Sequence, residues 1–144
     1  MIEKDTVKLL RECDAGLKMG VSAIKDVSDF ALSKNLKGYL KSSKAEHENL
    51  GREIESLLRH YGDSGKNPNP FVKGMSHMKT DIKLTVKESD NTAADLITDG
   101  CNMGVKYLNR YLNKYKAADE VSKDIAKRLI KLEDELAYEM RTFL

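Results

Sequence analysis

Apolar residues recur at alternating steps of three and four along four long stretches of this chain, a spacing that aligns them on one face of an α-helix and leaves a helical bundle as the economical fold. The first stripe is Val7, Leu10, Asp14, Leu17, Val21 and Ile24; the second is Leu36, Leu40, Ser43, His47, Leu50, Ile54 and Leu57. A third carries Ala93, Ile97, Cys101, Gly104, Leu108, Tyr111 and Tyr115, and a fourth Val121, Ile125, Leu129, Leu132, Leu136 and Phe143. Asp14 and His47 stand out, because each is a polar group on a stripe that should face a core. Burying either one unpaired costs several kcal/mol, on the order of a whole domain's margin of stability.

Breakers are scarce, so the segments are long. Gly62 to Pro70, with Pro68 and Pro70, is the one unambiguous interruption. Helix 1 is predicted from about Asp5 to the high twenties, and helix 2 from the low thirties to Tyr61, closed by Gly62 as a left-handed cap. Their turn is poorly marked, since Ser28-Asp29 and Ser33-Lys34-Asn35 both offer N-caps. Beyond the break, Asn69 and Pro70 can start a connecting helix with Phe71, Met75, Met78, Ile82 and Val86 on one face, ending near Glu88. Ser89-Asp90 then caps helix 3, and helix 4 begins near Asp119. The organisation is one domain over residues 1–144: a hairpin over about 4–62, a crossover with its own helix over about 63–89, and a second hairpin over about 90–144.

Such a connector, rising about 27 Å at 1.5 Å per residue, is long enough to carry the chain back along the bundle. That length favours a four-helix bundle with one long crossover, the ferritin-like arrangement, over an up-down-up-down bundle with the connector lying across one end.

Composition narrows the function classes. Against 25 Lys and Arg stand 23 Asp and Glu, with no separate basic block, which disfavours nucleic acid as a partner. No apolar run approaches a membrane span and the N-terminus lacks the apolar core of a secretion signal, so a cytoplasmic protein is expected. Cys13 and Cys101 are far apart and on helix faces, consistent with reduced, half-buried thiols.

Several patterns read as packing rather than chemistry. His47-Glu48 opens a zinc-protease motif, but Gly51 stands where its second histidine belongs. Gly100 and Gly104 make a notch for close helix approach, and Tyr107, Tyr111 and Tyr115 a seam. His77 between Met75 and Met78 reads as connector packing, and His60 as a favourable charge in the last turn of helix 2.

Over nearly its whole length the chain resembles a bacterial group of ferritin-like four-helix-bundle proteins known only as a domain of unknown function. The resemblance rests on Leu9-Leu10-Arg11-Glu12-Cys13-Asp14-Ala15-Gly16, on Glu53-Ile54-Glu55-Ser56-Leu57-Leu58 running to Tyr61-Gly62, on Met75-Ser76-His77-Met78-Lys79-Thr80-Asp81-Ile82-Lys83, and on Asp99-Gly100-Cys101-Asn102-Met103-Gly104. It implies a fold and hardly a function. A di-metal site of the wider ferritin-like class needs an inward Glu on helices 1 and 3 and an inward Glu-x-x-His on helices 2 and 4. Asp14 takes the helix 1 position by its place on the stripe, and His47 follows 33 residues later, but no Glu-x-x-His contains it; Glu46-His47-Glu48-Asn49 is a scrambled version. On helix 3 the counterpart is Cys101, and no histidine follows His77. Glu133, Asp134 and Glu135 are read as lying mostly away from the helix 4 stripe, leaving Glu139 as its nearest acid.

A complete di-iron centre is therefore not expected, and with it no cofactor. The leading expectation is a non-enzymatic binding or structural module that self-associates through helical faces. The alternative is a degenerate metal site for iron, manganese or zinc built from Asp14, His47 and Glu46; a third reading places a small apolar ligand in the room left by Gly16, Gly20, Gly100 and Gly104. Whether Asp14 and His47 meet depends on the first turn: centred near residue 30 or 31 it sets them level, whereas at Ser33 to Asn35 it holds them about 10 Å apart.

Overall fold

Ser33 settles that turn. In the computed structural model, which describes residues 2–67 and 89–144, its hydroxyl accepts from Leu36 N at 3.1 Å and starts helix α2, Lys34–His60. Helix α1, Ile2–Val27, is continued by the bond from Ser28 N to Ile24 O, and Phe30 and Ala31 turn inward to plug the end of the core. Because the turn spends those residues on packing, the hairpin's register centres nearer residue 34 than 30. Gly20 stands against His47, and Leu17 against Gly51.

The other caps follow their side chains. Ser89 caps α3, Asp90–Lys114, by accepting from Thr92 N at 3.0 Å. Asp119 caps α4, Glu120–Met140, by accepting from Ser122 N at 2.8 Å, and a 3-10 turn over Arg141–Phe143 follows. Gly62 closes α2 with a φ of 70°, as its sequence position suggests. The expected connecting helix over Phe71 to Glu88, with His77, Met75 and Met78, lies outside the described residues.

Contacts at the helix ends give the directions. Thr6 Oγ1 accepts from Asp119 N at 2.8 Å, so α1 and α4 begin at the same end, where Tyr61, just past α2, also reaches Asp119. Asp90 accepts from the backbone N–H groups of Leu32 and Ser33 at 2.7 and 3.1 Å, so α3 begins at the opposite end, beside the α1–α2 turn. Consequently α2 and α3 run in the same direction, antiparallel to α1 and α4. α1 packs on α2, α3 and α4, and α4 also on α2 and α3. The fold is all-α, and no described helix is long and apolar enough to cross a membrane.

The apolar core falls into two clusters. One, near the start of α1, holds Leu9, Leu10, Leu17, Leu50, Ile54, Leu58, Leu108, Ile125, Leu129 and Leu132. The other, near the α1–α2 turn, holds Ile24, Phe30, Leu36, Leu40, Ile97, Cys101, Leu136 and Met140. Along α2 and α4, the polar residues His47 and Glu133 occupy the layer between them. The fourth stripe needs correcting: Val121 is 56% exposed, and the buried row includes Ser122, Ala126, Leu129, Glu133, Leu136 and Met140. On α2 the buried residue near the end is Leu58, with Leu57 only partly covered. Both thiols are free and fully rather than half buried.

Candidate functional site

Asp14 and His47 are both buried, as their stripes require, but each has found a different partner. Six positions of α1 separate Asp14 from Gly20, the residue opposite His47, which amounts to about 9 Å along the axis. Glu46 is exposed on the outer side of α2. The structure therefore does not bring the three sequence-derived candidates together. Among the described residues, no group of three or more His, Cys, Asp or Glu side chains is placed to hold a metal ion.

Asp14 fastens the chain that leaves α2. Its Oδ2 accepts from Lys66 N at 2.9 Å and pairs with Lys18 Nζ at 2.8 Å. Arg11 holds Asp63 through two bonds of 2.8 and 3.0 Å, Asp63 accepts from Gly65 N at 2.7 Å, and Lys66 pairs closely with Glu12. Gly65 has a φ of 91°, and a Cβ there would collide with the Asp14 carboxylate. This segment is tied to α1 at a place only glycine can pass.

His47 meets Glu133. Its Nδ1 lies 2.7 Å from the Ser43 carbonyl, an oxygen that can only accept, which assigns a proton to Nδ1. Its Nε2 lies 2.5 Å from Glu133 Oε1, a distance that places a second proton between ring and carboxylate. Burial opposes charging the imidazole, but the hydrogen bond and charge of Glu133, the Ser43 carbonyl and the charge of Glu46 outweigh it, and the pKa of His47 is raised. The raised pKa favours the charged imidazole, and the contact with Glu133 links α2 to α4.

Two glycines make room for it. A Cβ on Gly20 would stand 3.1 Å from His47 Cδ2 and 3.5 Å from Glu133 Oε1, and one on Gly104 would stand 3.6 Å from Glu133 Oε2. At Gly20 of α1 and Gly104 of α3 it is backbone that faces the pair. Cys101 lies on the carboxylate, and burial, followed by the charge and hydrogen bond of Glu133, pushes its thiol pKa far up. Burial likewise raises Cys13 to about 12, with Glu12 and Asp14 adding to the effect. In both cases the thiolate, the nucleophilic form, is disfavoured.

A cavity of about 180 Å³ opens beside the pair, between α1 and α3. Ala15, Gly16, Met19, Gly20 and Ala23 line it from α1, and Ile97, Gly100, Cys101, Met103, Gly104 and Tyr107 from α3. His47, Leu129, Glu133 and Leu136 line it as well, as do Glu12, Lys66 and Tyr111. Among the described residues, Cβ atoms on Gly16 and Gly100 would meet nothing within 4 Å. All four glycines singled out in the sequence border this cavity.

Glu133 is the residue sequence reasoning missed. Beginning the helix 4 stripe at Val121 rotates the expected face and turns Glu133 outward. The row Ser122, Ala126, Leu129, Glu133, Leu136 and Met140 has the same alternating spacing and contains it. Comparison of the chain with protein-family models, with curated proteins and with solved structures finds no match in any of the three.

Proposed function

We propose that this protein is a non-enzymatic binding module of ferritin-like architecture whose ligand is one small, largely apolar molecule held between α1 and α3. The cavity carries this reading. Apolar cavities of about 150 Å³ accept a benzene-sized molecule, whereas drug-sized ligands need roughly 300 Å³ or more, so 180 Å³ selects something close to one ring. Catalysis has little to work with there: both ring nitrogens of His47 are engaged, and the Cys101 thiol is held protonated.

The ferritin-like part rests on the parallel course of α2 and α3 and on the position of the polar layer. Ferritin-like metal sites draw inward ligands from all four helices at one level. Here α2 and α4 supply His47 and Glu133 while Gly20 and Gly104 face them, half of such a set with cavity in place of the rest. The buried, unpaired thiols of Cys13 and Cys101 accord with a reducing cytoplasm.

Titration of the protein with toluene and phenol, followed by amide chemical shifts, tests the reading. Saturable shifts at α1 and α3 residues bordering the cavity, abolished by Gly100→Leu in a folded variant, are expected. Absence of saturable binding by both would refute it. Metal analysis of protein purified without chelator tests the alternative, for which half an equivalent or more of iron, manganese or zinc, lost in Asp14→Asn, is the required result.

A further inference from the structure

Building on the apolar-ligand reading above, we infer that Glu133 is its specificity-determining residue and that the ligand is a neutral ring molecule carrying one hydrogen-bond donor, of the phenol class. Glu133 is 8% exposed and lines the cavity, whereas its partner His47 is fully covered. His47 occupies Oε1 with a charge-assisted bond; Oε2 faces α3 at Gly104, where an added Cβ would stand 3.6 Å away. Among the described residues, the other side chain hydrogen-bonded to this carboxylate is Cys101, and a thiol is a weak donor. A buried carboxylate in an apolar cavity gains from each strong donor it receives, so an O–H or N–H entering with a ligand is favoured.

Charge narrows the class further. The carboxylate repels anions and offers acceptor-only ligands nothing. His47 already balances its charge, so a cation would give up its hydration for an ion already paired. Aliphatic, thioether and aromatic groups of Ile97, Met19, Met103 and Tyr107 suit a flat apolar body. A neutral ring with a hydroxyl satisfies both surfaces.

Phenol, toluene and benzoate are near in size and differ in what they present to Glu133, so their titration by chemical shift or calorimetry tests the inference. Phenol is expected to bind at least tenfold more tightly than toluene, and benzoate not to bind. The double variant His47→Leu/Glu133→Leu, which leaves neither charge unpaired, is expected to lose the preference for phenol. Toluene binding as tightly as phenol, or a phenol preference that survives in the double variant, would overturn donor selection while leaving the apolar-ligand reading in place. Failure of both phenol and toluene to bind the unaltered protein would overturn that reading as well.

Discussion

His47 Nε2 and Glu133 Oε1 lie 2.5 Å apart in a polar layer between two apolar clusters, joining α2 to α4. An ion pair so placed is a poor source of net stability, because desolvating both charges offsets most of their attraction. Its stronger effect is on alternatives: sliding α4 by one turn would bury Glu133 against leucine.

Removing one partner should therefore cost far more than removing both. His47→Leu is expected to destabilise the protein by about 3 kcal/mol or more, since Glu133 is left without its counter-charge, and His47→Leu/Glu133→Leu by much less. Urea unfolding of the two single variants and the double variant measures the coupling. Additive losses would show that the pair is not coupled.

The pair also sets a pH dependence. Because the folded-state pKa of His47 is raised, its contribution to stability is complete below the unfolded value of about 6.5 and is lost as pH rises through the folded value. The stability difference between the unaltered protein and His47→Gln should shrink as pH rises above about 6.5, through the raised folded-state pKa. A proton NMR titration of His47 in the folded state should have its midpoint above that of an ordinary histidine; a midpoint below it would contradict the assignment.

Asp14 should behave as a fastening rather than as a ligand. Asp14→Ala is expected to cost about 1–3 kcal/mol, the penalty for leaving a partly buried donor unsatisfied, and to speed amide exchange at Lys66 while the α2–α4 contacts persist. Gly65→Ala should loosen the same segment, since its φ of 91° is strained for alanine and the added Cβ meets Asp14. Exchange at Lys66 unchanged in both variants would show that the fastening is unimportant.

The glycines bordering the cavity should separate into two kinds. Gly16→Ala and Gly100→Ala place a methyl within 4 Å of no described residue and should each stabilise by about 0.5–1 kcal/mol through helix propensity. Gly20→Ala gains the same propensity but presses on His47 at 3.1 Å, and should be neutral or destabilising. Thermal unfolding of the three variants distinguishes these outcomes.

Four amphipathic helices, the Gly62 stop, the Ser89 and Asp119 caps and the burial of Asp14 and His47 were all legible in the sequence, because each depends on residues within a turn or two of one another. The Ser33 cap was legible only as one of two choices, and the difference decided the register: Phe30 and Ala31 pack inward, so Gly20 rather than Asp14 comes to face His47. Glu133 shows the same limit. Its spacing from Leu129 and Leu136 permitted an inward position, but a helix offers several overlapping faces, and only the neighbours that pack on α4 choose among them. Period and caps are local properties of a chain. Which buried acid meets which buried base, and whether glycines on two helices border one shared space, follow from how the helices pack together.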